Sequence, residues 1–282
     1  MQQEIIAIVF DFDDTLSPDS TSAFLASLGI DVPAFWEDVN TLYQSHWDPI
    51  PAYLYKMIEI SKRQPKGEAI TQEKLQEWGK KLTFYPGVSE IFIHLQQVAK
   101  EASPTVNLEF YVISSGLEEV IRHTTIASSF TDIWGCDFAY DNNGSISFPK
   151  RIVSFTDKTR YLFHIAKGLT GMKTRTNPFA VNKKFEDDEK RIPMDQIIFV
   201  GDGYTDIPCF SLVKKAGGIP LAVCDRDDRN KWGKAWGFME QQRITHWAVA
   251  DFQEGSTLRV SLSMAVKKIA HTIATQRRSY SG

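Results

Sequence analysis

The chain has 282 residues, of which 43% are hydrophobic and 24% charged, and its formal net charge is -3. That is the composition of an ordinary globular protein, long enough for two domains or for one domain with a substantial insert. The weak negative charge argues against a broad nucleic-acid or anionic-membrane surface, and the longest apolar runs fall far short of the ~20 residues of a membrane span.

Met1 leads through Gln-Gln-Glu straight into an apolar run, which is not the pattern of a secretory signal. Cys136, Cys209 and Cys224 are far apart and odd in number. They read as ordinary thiols of a reducing compartment, so a cytoplasmic setting is expected. Ile5–Phe10 is short, continuously apolar and branched, as a strand buried on both faces is. It stops at Asp11-Phe12-Asp13-Asp14-Thr15. In open α/β sheets chemistry lies just beyond the carboxyl ends of strands. Residues i and i+2 of extended chain point the same way, so Asp11 and Asp13 can face one site. Two close carboxylates repel unless a cation lies between them or one holds a proton. The pair suits phosphoryl transfer, with one carboxylate attacking phosphorus and the other protonating the leaving alcohol and then activating water. A polar turn capping the next helix is the plainer reading of an isolated D-x-D.

Residues 17–83 read as helices without a strand: Ser22–Leu28, Pro33–Tyr43, Ala52–Ile60 and Thr71–Lys80. They are broken at Gly29, at Asp48-Pro49-Ile50-Pro51 and at Gln64-Pro65-Lys66-Gly67. An insert placed directly after the first strand sits above its carboxyl end as a cap. Its aromatics, Trp36, Tyr43, Trp47, Tyr53, Tyr55 and Trp78, read mostly as the insert's own core.

Phe84-Tyr85-Pro86-Gly87 returns the chain to the core, and a helix opens at Ser89, with Ile91, Phe92, Leu95, Val98 and Ala99 at helical spacing. His94 on that helix reads as packed or solvated. Leu108–Ile113 is a second core strand, ending in Ser114-Ser115-Gly116 before an amphipathic helix over Leu117–Ala127. Hydroxyl and backbone N–H donors at a helix start suit an anion, although serine is also a common N-cap and glycine a common turn residue. Asp141-Asn142-Asn143-Gly144 is a hairpin turn in a small surface ribbon. Lys158 opens a helix over Thr159–Lys167, against the helix dipole, which makes it a better site candidate than an ordinary surface lysine. Gly168–Pro193 mixes charges without periodicity and reads as a solvated, mobile loop without chemistry. Gln196–Val200 is the next buried strand, followed by Gly201-Asp202-Gly203-Tyr204-Thr205-Asp206, where the glycines allow a tight turn. Asp206 starts a helix with Pro208 in its first turn. Strands over Ile219–Cys224 and Ile244–Ala250, joined by the polar connection Asp225–Gly237, and a last helix over Thr257–Ala274 complete the chain.

Four clusters therefore stand in order at strand ends or helix starts: Asp11/Asp13, Ser114, Lys158 and Asp202/Asp206. This order resembles the haloacid dehalogenase-like hydrolase superfamily. Asp11-Phe12-Asp13-Asp14-Thr15 and Gly201-Asp202-Gly203-Tyr204-Thr205-Asp206 carry most of the resemblance. It implies a Rossmann-like, doubly wound parallel α/β sheet over residues 1–16 and 84–282, with an all-helical cap over 17–83. It also implies a phosphatase that hydrolyses a small phosphorylated metabolite through an aspartyl-phosphate on Asp11. In that reading Asp13 is the general acid/base. Ser114, with Ser115 as its fallback, Gly116 and Lys158 hold the phosphoryl oxygens. Mg²⁺ is held by Asp11, the backbone carbonyl of Asp13 and Asp202, and Asp206 orients the metal's water ligands or Lys158.

The acid at Asp13 favours phosphate esters over halide displacement, because halide leaves without a proton. The position of the helical insert is most similar to the phosphoserine-phosphatase-like branch, yet that branch's acidic and arginine substrate residues are not placed in Pro18–Leu28. The expected partner is a small phosphorylated substrate, with neither nucleic acid nor membrane; the substrate itself and the oligomeric state stay open. Rival readings are a phosphotransferase or phosphomutase using the same intermediate, a phospho-accepting signalling module, and a relative that only binds.

Overall fold

A computed structural model of the chain describes residues 4–65, 67–226 and 228–280. Met1–Gln3, the expected turn residue Lys66, Asp227 of the polar connection and residues 281–282 lie outside the described residues. The first strand, β1 (Ile5–Phe10), lies where its branched apolar run predicts. It pairs in parallel with β2 (Asn107–Leu117) on one side and β5 (Ile197–Gly201) on the other, so that Phe10 stands level with both Val112 and Val200. With β3 (Asp132–Tyr140), β4 (Ile146–Arg151), β6 (Ile219–Cys224) and β7 (His246–Val249), these strands form one sheet in the order β4-β3-β2-β1-β5-β6-β7. Every pairing is parallel except β3 with β4. The order reverses at β1, the switch point at which such sheets open a crevice above their carboxyl ends.

Alternation along the strands divides the core in two. Ile6, Ile8, Phe10, Phe110, Val112, Ile198 and Val200 face α5 (Val88–Ala102) and α10 (Thr257–Tyr280), whose Ile91, Leu95, Leu262 and Val266 join the same buried cluster. Ala7, Val9, Tyr111, Ile113, Ile197 and Phe199 face the other way. They meet Leu162 and Ile165 of α7 (Asp157–Ala166), Phe210 and Val213 of α8 (Ile207–Lys215) and Phe238 of α9 (Arg229–Glu240). This is the doubly wound α/β architecture read from the sequence.

Between β1 and α5 run four helices: α1 (Ser20–Ser27), α2 (Val32–Tyr43), α3 (Pro49–Arg63) and α4 (Gln72–Lys81). Asp19, Asp31 and Thr71 cap three of them, each side chain accepting from a backbone N–H three residues on. Phe24, Phe35, Val39, Met57 and Leu75 are continuous with the buried cluster on the α7 side of the sheet.

Five local expectations differ from the structure. The Asp141–Gly144 turn joins β3 and β4 of the main sheet, and β3 is buried along most of its length. The strand expected to end at Ile113 continues to Leu117, with an irregular register after Ile113. The amphipathic helix expected over Leu117–Ala127 is only α6 (Glu118–Arg122). In the polar connection Asp225–Gly237 a helix, α9, starts at Arg229 and runs on to Glu240, and the loop 168–193 is tied down. Arg191 donates to both oxygens of Glu109, and Arg175 donates to Glu118, Asp132 and the Ile133 carbonyl. No helix among the described residues is long and apolar enough to cross a membrane.

Candidate active site

The first acid stays in the sheet through its backbone. Asp11 N–H donates to the Val200 carbonyl at 2.8 Å, extending the β1–β5 ladder by one residue. Its Oδ1 accepts from Phe12 N–H at 2.7 Å and its Oδ2 from Lys158 Nζ at 2.6 Å. Lys158, the second residue of α7, is completely buried and reaches Asp206 Oδ1 at 2.7 Å with the same ammonium group. The other oxygen of Asp206 accepts from Gly203 N–H at 2.9 Å. A Cβ at Gly201 would lie 2.5 Å from that oxygen, which is why the strand must end in glycine. Carboxylate oxygens of Asp11, Asp202 and Asp206 all lie within 4.8 Å of one another.

Asp13 has its carboxylate outside that group. Its Oδ1 accepts from the N–H of Ser20, the first residue of α1, at 2.8 Å. A Cβ at Gly116 would lie 2.3 Å from its Oδ2, so glycine there makes room for the acid. Ser114 is buried and its Oγ accepts from Gly116 N–H at 2.9 Å, while the Ser115 hydroxyl is buried without a protein partner. The Ser115 carbonyl is held at 2.6 Å by the hydroxyl of Tyr53 from α3. The helix expected to back these donors is shorter than the sequence reading has it. Ser114-Ser115-Gly116 is irregular extended chain followed by a five-residue helix, and its donors are hydroxyls and backbone N–H groups without a substantial helix dipole behind them.

Electrostatics separate the acids. Burial, reinforced by the charge of Asp206, raises Asp11 to about 6 even though Lys158 opposes the shift. Burial likewise raises Asp202 to about 6, with Lys234 opposing and Asp11 and Asp14 reinforcing. Asp13 goes furthest, to about 8. Part of its own surface meets solvent, but close protein surroundings make desolvation the main cause, followed by the nearby charge of Asp19. For Lys158 burial disfavours the ammonium, but Asp11 and Asp206 outweigh it and hold the proton firmly. At neutral pH the arrangement offers an ionised Asp11, a protonated Asp13 and a fixed ammonium group.

Sequence reasoning missed two cations here. Lys234 of α9 lies 3.0 Å from Asp202 Oδ2, and Lys231 lies 2.8 Å from Asp14 Oδ1. Asp14 has a left-handed backbone at φ 56, in the tight loop where the N–H groups of Thr15, Leu16 and Ser17 all point at the Phe12 carbonyl. The available signal was the Lys-x-x-Lys spacing, which puts both lysines on one helix face.

No family model matches the chain. An "Uncharacterized protein" of Borreliella burgdorferi is 25% identical, the match covering 91% of this chain and 95% of that one. Among solved structures, a HAD family hydrolase from Salmonella enterica serovar Typhi superimposes with a TM-score of 0.58 at 14% identity, over 92% of this chain and 70% of that one. A phospho-aspartyl intermediate analogue of phosphoserine phosphatase superimposes with a TM-score of 0.53 at 15% identity, over 93% and 99% of the two chains. These likenesses show the fold, which is that of the haloacid dehalogenase-like hydrolases, as the sequence motifs imply.

Proposed function

We propose that the protein is a Mg²⁺-dependent phosphatase acting on a small phosphomonoester through an aspartyl-phosphate on Asp11. The observation that carries this reading is the bridge Asp11–Lys158–Asp206 beside Asp202, with a separately held Asp13 whose proton persists to about pH 8. One carboxylate is kept ionised and another neutral, the division of labour that nucleophilic and acid catalysis require.

Asp11, the backbone carbonyl of Asp13 and Asp202 would hold the metal. Three carboxylates, Asp11, Asp202 and Asp206, meet two ammonium groups there, Lys158 and Lys234, so one negative charge is left over. That excess and the all-oxygen donor set fit a hard divalent cation such as Mg²⁺, which needs few protein ligands because it keeps several waters. When bound, the metal supplies charge neutralisation between the phosphoryl group and its attacker.

Asp11 attacks phosphorus as Asp13 gives its proton to the departing alkoxide, and the phosphoryl group passes to the Asp11 carboxylate. Asp13, now ionised, takes a proton from water as that water attacks the aspartyl-phosphate, which returns Asp11 and releases orthophosphate. Ser114, the free hydroxyl of Ser115 and the N–H of Gly116 hold phosphoryl oxygens together with Lys158, and Asp206 fixes that lysine's direction. The helical segment 17–83 acts as the cap that selects the leaving group, because it touches the site at Ser20 and Tyr53.

The test is orthophosphate release from an aryl phosphate, with Mg²⁺ and with chelator, by the wild type and by Asp11→Asn. Release that needs Mg²⁺ and vanishes in a folded Asp11→Asn protein supports the reading. Release that survives the substitution overturns it.

A further inference from the structure

The loop 168–193, which has no part in the chemistry above, borders a cavity whose lining shares no residue with the acid cluster. Its volume is ≈ 230 Å³, and its walls include Trp134 of β3, Arg151 of β4, Arg160 and Tyr161 of α7, and Arg175 and Pro178 of the loop. We propose that this cavity binds the phosphoryl group of a small phosphorylated compound, at a site separate from that around Asp11.

The three guanidinium groups are held from three different elements, and each is positioned by a neighbour. Arg151 and Arg175 both donate to Glu118, a buried carboxylate that also accepts from Arg122. Arg175 is further fixed by Asp132 at 3.0 Å and by the Ile133 carbonyl at 2.7 Å, yet its Nε–H is buried without an acceptor. Arg160 lies over the ring of Tyr161, donates to that hydroxyl at 2.9 Å and meets Asp157 only at 3.6 Å, so its charge is weakly compensated. Around the cavity the cations Arg122, Lys150, Arg151, Arg160 and Arg175 outnumber the carboxylates Glu118, Asp132, Asp137 and Asp157 by one.

A phosphoryl group presents several oxygens at once, which suits planar forks converging from three sides. The walls beside the arginines are Trp134, Tyr161, His164, Thr174 and Pro178. Trp134 is sandwiched between Tyr111 and Tyr161, with ring centroids 6.0 and 5.2 Å away, so these rings form a rigid wall whose faces are already covered. The rest of the ligand is therefore a compact group lying along the ring edges and meeting His164 and Thr174.

The experiment is equilibrium dialysis of the full-length protein against radiolabelled orthophosphate, for the wild type, Arg160→Met and Lys150→Met. Arg160 and Lys150 have side chains 44% and 59% exposed, so neither substitution disturbs the core, and circular dichroism checks this. Lys150 carries the same charge nearby without lining the cavity, and it controls for general attraction. The expected result is one class of bound phosphate weakened at least tenfold in Arg160→Met and retained in Lys150→Met. Equal binding by all three proteins, or equal loss in both variants, overturns the proposal. The difference between the two variants defines the site, so the outcome does not depend on whether phosphate also binds at Asp11.

Discussion

Asp11 and Asp13 start from the same ordinary carboxylate value and are separated by their partners. Asp11 faces a buried ammonium, whereas Asp13 accepts one backbone N–H from Ser20 and feels the charge of Asp19. With Asp13 raised to about 8, its proton is present at neutral pH and is lost as pH rises through that value. In its proposed role of protonating the leaving group, it should make kcat fall above about pH 8. Asp13→Asn should lower kcat by about 10²–10⁴-fold, the usual contribution of a positioned acid–base group, and should remove that limb of the pH profile. A variant that is slowed but keeps the descending limb near pH 8 shows that another group is titrating. The placement of single acids at strand ends was the most legible part of this chain. Strand ends followed by Asp-Phe-Asp-Asp-Thr and Gly-Asp-Gly-Tyr-Thr-Asp name their acids directly. The division of roles between Asp11 and Asp13 came from the family resemblance; its electrostatic cause was not legible, because it depends on Lys158, Ser20 and Asp19 arriving from other parts of the chain.

Elements with a continuous apolar run were readable, and those whose burial is shared with neighbours were not. β3 contains Asp132, Gly135 and Asp137 where a buried strand usually has branched residues. Gly135 is needed because a Cβ there would lie 2.8 Å from the Glu118 backbone nitrogen, and Asp132 is compensated by Arg122 and Arg175. α9 escaped notice for a related reason. Only Ala235 and Phe238 of its described side chains are buried, and Gly233 and Gly237 interrupt any apolar stripe. Yet that helix delivers Lys234 to Asp202, a carboxylate proposed above to hold the metal, and Lys231 to the loop after β1. An ammonium 3.0 Å from a ligand oxygen opposes the approach of a second cation. Lys234→Met should therefore strengthen Mg²⁺ binding by about tenfold, roughly 1.4 kcal/mol, in isothermal titration calorimetry without substrate. Unchanged or weaker binding would mean that the lysine serves to orient Asp202 for the metal instead of competing with it.

For the molecule as a whole, the doubly wound sheet gathers three carboxylates at the end of β1 and β5, and that concentration of charge should show in stability. Asp11 and Asp202 at about 6 and Asp13 at about 8 all lie above their unfolded values near 4. The folded protein therefore binds protons more tightly than the unfolded chain across that interval, and the stabilisation is complete below about pH 4. It is lost progressively as pH rises through about 6 and then about 8. Without metal, the melting temperature should fall between pH 5 and pH 8. Because a ligand that binds only the folded state stabilises it by RT ln(1 + [L]/Kd), about 2.7 kcal/mol at a hundredfold excess over Kd, Mg²⁺ should restore several degrees at pH 8. At pH 5 it should restore much less, since the carboxylates then hold protons. Asp202→Asn separates this account from nonspecific salt stabilisation. Removal of one crowded charge should raise the metal-free melting temperature at pH 8, while the increment due to Mg²⁺ should nearly disappear. Scanning calorimetry at the two pH values, with Mg²⁺ and with chelator, measures both changes. A variant that melts lower without metal would show that the charge of Asp202 is not destabilising, and one that keeps the full Mg²⁺ increment would show that Asp202 is not a ligand of the metal.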